Sequence, residues 1–120
     1  MPKKFKNAHS FSEWLESFEE KQIKSANELI EAYAQRTVRD AKRKAPVDTG
    51  YLEGSIDYQI KTTGNGLIEA TVFVGAEYGY WVEFGTSTHY AQPFLYPAFL
   101  TYSERFLKTL SKATGQNLKD

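Results

Sequence analysis

Apolar positions recur every three to four residues along the first half of the chain. Phe11, Trp14, Leu15 and Phe18 make one stripe; Ile23, Ala26, Ile30, Tyr33, Ala34, Thr37, Val38, Ala41 and Ala45 make a second. At about 100° per residue the two stripes are out of phase by roughly one residue's rotation. The slip falls in the polar run Glu19-Glu20-Lys21-Gln22. The pattern predicts two helices, about 11–19 and about 23–44, joined by a short turn or sharp kink. Ser10 and Glu13 stand at capping-box spacing to open the first. One uninterrupted helix of about 34 residues would run roughly 50 Å, against a globule diameter near ~35 Å from size scaling. In the second helix Glu28 and Glu31 come early and the basic residues late, as the helix dipole favours.

Pro46 then stops the helix, because it disfavours helical backbone at Ala45 and has no amide to donate. Asp48-Thr49-Gly50 reads as a turn in which the Asp side chain caps the amides that follow. From Ser55 the period becomes two: Ile56, Tyr58 and Ile60 alternate with Asp57, Gln59 and Lys61. Thr63-Gly64-Asn65-Gly66 is a turn signal and Leu67 to Val74 the returning strand of a hairpin. Residues 77–84 fit a short helix or a third strand. Gly85 to Ala91 reads as a polar loop, and the segment from Gly85 to Gln92 is expected to be mobile in a free subunit and to order against a neighbour. Pro93 stands near the start of a last helix, about 94–113, with Phe94, Leu95, Ala98, Phe99, Tyr102, Phe106 and Leu110 on its stripe, ended by Gly115. The expected fold is α+β in one domain over 1–120: two N-terminal helices, an antiparallel β-hairpin or three-stranded sheet, and a C-terminal helix, with 1–9 a flexible lead-in.

Composition narrows the function classes. Fifteen basic residues balance fifteen acidic ones, so no net field recruits nucleic acid or an anionic membrane. Nothing approaches the ~18 consecutive apolar residues of a membrane span, and the basic N-terminus lacks the apolar run of a secretory signal. The absence of cysteine removes disulfides, thiolate nucleophiles and the usual structural zinc sites. Eight Tyr, eight Phe and two Trp are unusual, and rings with polar tips suit protein–protein contact.

Little here can carry catalysis, and no cofactor is expected. Asp48-Thr49-Gly50 matches the tripeptide of retroviral-type aspartic proteases, in which two carboxylates share a proton. That tripeptide belongs after a hydrophobic strand in an all-β fold, whereas a basic helix and Ala45-Pro46-Val47 precede it here. His9 and His89 stand far apart, with no Cys or second His at ligand spacing. Arg36, Arg39, Lys42, Arg43 and Lys44 form the one electrostatic cluster, either a solvated helix end or a patch that touches DNA phosphates without reading sequence.

Three stretches resemble the tail-completion family of long-tailed phages and prophages. They are Ala45-Pro46-Val47-Asp48-Thr49-Gly50-Tyr51-Leu52-Glu53-Gly54-Ser55-Ile56, Tyr80-Trp81-Val82-Glu83-Phe84-Gly85-Thr86 and Ala91-Gln92-Pro93-Phe94-Leu95-Tyr96-Pro97-Ala98, in order over about residues 25–105. The resemblance implies a non-enzymatic α+β virion subunit: a head–tail joining protein forming a homo-oligomeric ring, hexamer or dodecamer, at the neck. It implies contacts with other neck and tail proteins, and assembly in the host cytoplasm. A tail terminator or minor tail protein is the alternative within that family of roles. The family motif maps onto Pro46, Asp48, Thr49, Gly50, Leu52, Ser55, Val82, Glu83, Phe84, Gly85, Thr86, Gln92, Pro93, Phe94 and Pro97. Glu53 and Tyr96 depart from it, standing where relatives carry basic residues. These motif residues read mainly as scaffold, with Phe84 and Phe94 filling core. Glu83, a carboxylate among aromatics, must be paired or face a partner.

Overall fold

The computed structural model describes residues 20–46 and 50–114. The expected lead-in, the 11–19 helix with its capping box, the Asp48–Thr49 cap and the Gly115 stop lie outside the described residues. Within them the order is α1 (Glu20–Lys44), α2 (Tyr51–Gly54), β1 (Ile56–Thr62), β2 (Ile68–Val74), α3 (Gly79–Phe84) and α4 (Leu95–Thr114).

Helix α1 is the spine. It already includes Glu20 and Gln22, so that part of the polar run expected at a turn is helical. Its buried stripe is built from small residues, Ala26, Ala34, Thr37, Val38, Ala41 and Ala45, which lets α4 and the hairpin approach closely. Helix α4 crosses the Ala-rich stripe with Tyr33 against Tyr102 and Phe106, ring centroids 6.5 and 6.0 Å apart. The Tyr33 hydroxyl shares a 3.0 Å hydrogen bond with that of Thr109. Ala45 donates the last helical hydrogen bond, to Ala41, and Pro46 follows. Gly50, at φ 80°, turns the chain into the single turn of α2, which sequence periodicity did not reveal. That turn puts Leu52 into the core.

The strands pair antiparallel, Ile56 with Val74 through Thr62 with Ile68, as a two-stranded sheet. Residues 79–84 are helical, which resolves the helix-or-strand ambiguity and excludes a third strand there. At the hairpin tip, Asn65 Oδ1 accepts from Leu67 N at 3.1 Å and Thr63 N donates to Leu67 O at 2.7 Å. Asn27 of α1 then uses both ends of its amide on the tip, donating to Gly66 O at 2.9 Å and accepting from Ile68 N at 3.0 Å. Lower down, Tyr58 bridges to Glu31 and Gln35. Val38, Ala41, Ala45, Leu52, Ile56, Ala76, Phe94 and Ala98 form the core, and Phe94 and Ala98 are wholly buried.

Candidate functional site

The second and third family stretches meet at the junction of α3 and α4. Helix α3 is only six residues long, too short to be stable alone. What fixes it is Glu83, whose buried carboxylate accepts from Phe94 N (3.1 Å) and Leu95 N (2.9 Å) on Oε1 and from Tyr96 N (3.1 Å) on Oε2. These are the amides a helix N-terminus leaves unpaired, and the next residue, Pro97, has none to offer. One carboxylate therefore satisfies the start of α4 from outside that helix, where the helix dipole also favours a negative charge. Glu83 is paired, internally.

With Glu83 turned inward, Phe84 is rotated about 100° away. Phe84 was expected in the core and is instead 66% exposed, while Phe94 is 0% exposed. Gly85 follows at φ 82°, and a Cβ there would stand 2.8 Å from the Ala91 amide. The loop expected to be mobile carries its own ties. Thr86 N donates to His89 O, the Thr86 hydroxyl accepts from Thr88 N and His89 N, and Gln92 N donates to Val82 O at 2.8 Å. The loop holds Tyr90 outward at 96% exposure.

Around this junction lies an aromatic surface. Tyr80 packs on Trp81 and Phe84 at 5.3 and 4.9 Å, Tyr51 stacks on Tyr78 at 6.0 Å, and Tyr96 and Phe99 are exposed beside them. A groove of about 560 Å³ runs between β2, α3 and the start of α4, lined by Val72, Val74, Tyr80, Phe84, Tyr96 and Phe99. A wider hollow of about 1110 Å³, between α1 and the hairpin tip, is more open and is fringed by Glu20, Lys24, Glu28 and Glu31. The aromatic groove is the better candidate contact surface, because it concentrates apolar ring area that the fold leaves exposed to water.

The basic cluster is smaller than its sequence suggests. Arg36, Arg39 and Arg43 fall within about 60° on one stripe of α1, but Arg43 and Lys44 both bind the carboxylate of Asp40, Lys44 at 2.5 Å. Asp40 is 4% exposed. Burial alone would raise its pKa; hydrogen bonds from Lys44 and Arg43 and their charges outweigh burial and leave it lowered. Arg36 lies over the Tyr33 ring at 4.8 Å. Sequence reasoning missed Asp40, although a carboxylate three and four residues before Arg43 and Lys44 is a legible signal.

Among the described residues no three His, Asp or Glu side chains gather as a metal site, and no helix is long and apolar enough to cross a membrane. Pro46, Gly50, Leu52 and Ser55 sit together at the α1–α2–β1 turn, where the Ser55 hydroxyl donates to Leu52 O at 2.8 Å. The first motif packs against the Glu83 junction, since Pro46 lines one hollow with Val82, Thr86 and Gln92 and Leu52 shares the core with Phe94; the junction itself gathers Val82, Glu83, Gly85, Gln92, Phe94 and Pro97.

Comparison with known proteins places this geometry. No curated protein and no solved structure is a significant match. A family model described as "Bacteriophage HK97-gp10, putative tail-component" matches residues 10–85, from before α1 through the Gly85 turn. The third motif lies beyond the matched span, but its backbone amides are held by Glu83 within it. The match covers more than half of the 120 residues, and the chain belongs to the HK97-gp10-like family of phage tail components.

Proposed function

We propose that this tail component is a head–tail joining, tail-completion subunit that forms a homo-oligomeric ring at the phage neck and contacts other neck and tail proteins. The observation that carries the reading is the uncovered aromatic surface around α3 and the start of α4: six rings from Tyr80 to Phe99 are each at least half exposed. That much apolar ring area favours a protein partner over solvent. The buried carboxylates Glu83 and Asp40 are both committed to structural hydrogen bonds, which leaves neither free for proton transfer. The reading is therefore of assembly without catalysis or cofactor, in the host cytoplasm and then in the virion.

A phage lacking this gene tests the proposal. A joining subunit predicts filled heads and finished tails that fail to attach. A tail terminator predicts tails of uncontrolled length, and a minor tail protein predicts attached particles with a local tail defect. Normal infectious particles lacking the chain would overturn all three. DNA contact through Arg36, Arg39 and Lys42 predicts a duplex mobility shift that weakens steeply with salt.

A further inference from the structure

Tyr90 and the aromatic groove lie on opposite sides of α3. Tyr80, Glu83 and Phe84, one face of that helix, line the groove. Tyr78, Trp81 and Val82, the other face, line a small hollow with Tyr90 at its rim. A ring exposed to 96% gains nothing from its own fold, while the groove on the far side is open, apolar and larger than one aromatic side chain. The molecule thus carries a knob and a hole that it cannot bring together within itself.

The groove has a second unmet need. In the hairpin, Thr63 with Leu67 and Ser55 with Gly75 are joined by backbone hydrogen bonds. With the register of the strands, alternation makes Ala70, Val72 and Val74 the residues whose amides and carbonyls point away from β1. Among the described residues none of the three has a hydrogen-bond partner beyond the sheet, although Ile68, next along the same edge, is capped by Asn27. On β1 the corresponding edge is blunted at Tyr58, whose amide is taken by Asp57 Oδ1 at 2.8 Å. Folded proteins rarely leave a strand edge both unpaired and apolar.

We infer that the occupant of this groove is a second copy of the chain, whose 86–92 loop inserts Tyr90 between β2 and α4 head to tail. The inference rests on the homo-oligomer reading above and names its interface. Tyr90 packs among Tyr80, Phe84, Tyr96 and Phe99 of the neighbour, and its loop backbone faces the free edge at Ala70, Val72 and Val74. The area is at the lower edge of what a stable contact needs. A whole ring carries ~150–250 Å²; at exposures from 41% to 96%, the four groove rings, Tyr90, and Tyr51, Tyr78 and Trp81 beside it supply on the order of 1,000 Å², just short of the ~1,200 Å² at which stable interfaces begin. Because knob and hole face opposite ways, each copy uses one on each neighbour, and such a contact closes into a ring when its rotation permits.

The chain has no cysteine, so engineered thiols are unique. One full-length copy carries Tyr90→Cys and another Phe99→Cys, mixed at high concentration under oxidation, with light scattering run alongside. The expected result is a mixed disulfide dimer from the pair, little from either variant alone, and a covalent ladder from the double variant. Tyr90→Ala, at a site too exposed to unfold the subunit, is expected to weaken association roughly tenfold or more with an unchanged melting temperature. Assembly without the cross-link, or unweakened by Tyr90→Ala, overturns the groove assignment and leaves the ring reading standing. A Tyr90→Cys cross-link to a different virion protein, and not to this chain, also overturns it. Neither assembly nor cross-link at any concentration overturns both.

Discussion

Two buried carboxylates, Asp40 and Glu83, are held in opposite ways. Asp40 lies near the end of α1 and is held by side chains from its own helix, three and four residues on. Glu83 lies at the end of α3 and is held by the backbone of another helix, 11 to 13 residues on. Asp40's partners are flexible cations, one of them 76% exposed, which water can replace. Glu83's partners are backbone amides fixed by the start of a helix, which only proline would remove. A local ion pair adjusts the stability of a helix that packing already secures; a remote cap decides where one helix begins and how another is aimed.

The sharpest way to break the comparison is at Glu83. Glu83→Ala leaves three helix-start amides without a partner and should lower stability by about 2–4 kcal/mol. Glu83→Gln keeps one acceptor oxygen but sets an NH₂ group against an amide, and should cost about 1–3 kcal/mol. Denaturant melts of both at neutral pH check the order; an Ala variant as stable as wild type would refute the capping role. Next comes Gly85→Ala, which meets the Ala91 amide at 2.8 Å and also strains a positive φ. A loss of about 1–3 kcal/mol is expected, together with faster amide exchange at His89 and Gln92, whose amides are tied on either side of Ala91.

Asp40 should give the smaller effect and a distinctive pH signature. Its folded pKa lies below the ordinary value of 3.8, so its contribution is present above that value and is lost as pH falls through the folded pKa. Asp40→Asn should cost about 1 kcal/mol at pH 7, and the gap between wild type and variant should close as pH falls below 3.8 and through the lowered folded pKa. A gap that persists at low pH would mean that Asp40 acts through packing alone. Arg43→Ala, at the exposed end of the pair, should change stability by less than about 0.5 kcal/mol, and less still in high salt.

The same contrast explains what could be read from the sequence. The hairpin was legible because a period of two and Thr-Gly-Asn-Gly are local signals, and the last helix because Phe94 to Leu110 keep a helical stripe. Glu83 showed only that it needed a partner, since its partners are backbone amides that carry no residue identity. Phe84 was misread for the same reason: nothing in the sequence says which of two neighbours, Glu83 or Phe84, turns inward until the cap is known. The Asn27 amide spans 39 and 41 residues to the hairpin tip, a pairing that no periodicity encodes.

The seam between α1 and α4 has a consequence for how the protein is made. Its contacts join early residues to late ones, as in the Tyr33–Thr109 hydrogen bond across 76 positions. When α1 has been synthesised, the helix that covers its alanine stripe begins 51 residues later and is complete only after 70, roughly 3–14 s of translation. Through that interval the stripe and the first side of the core lack their partner. Formation of the native domain therefore waits on the arrival of α4, and nascent chains stalled before Tyr102 should be markedly more sensitive to protease than released ones.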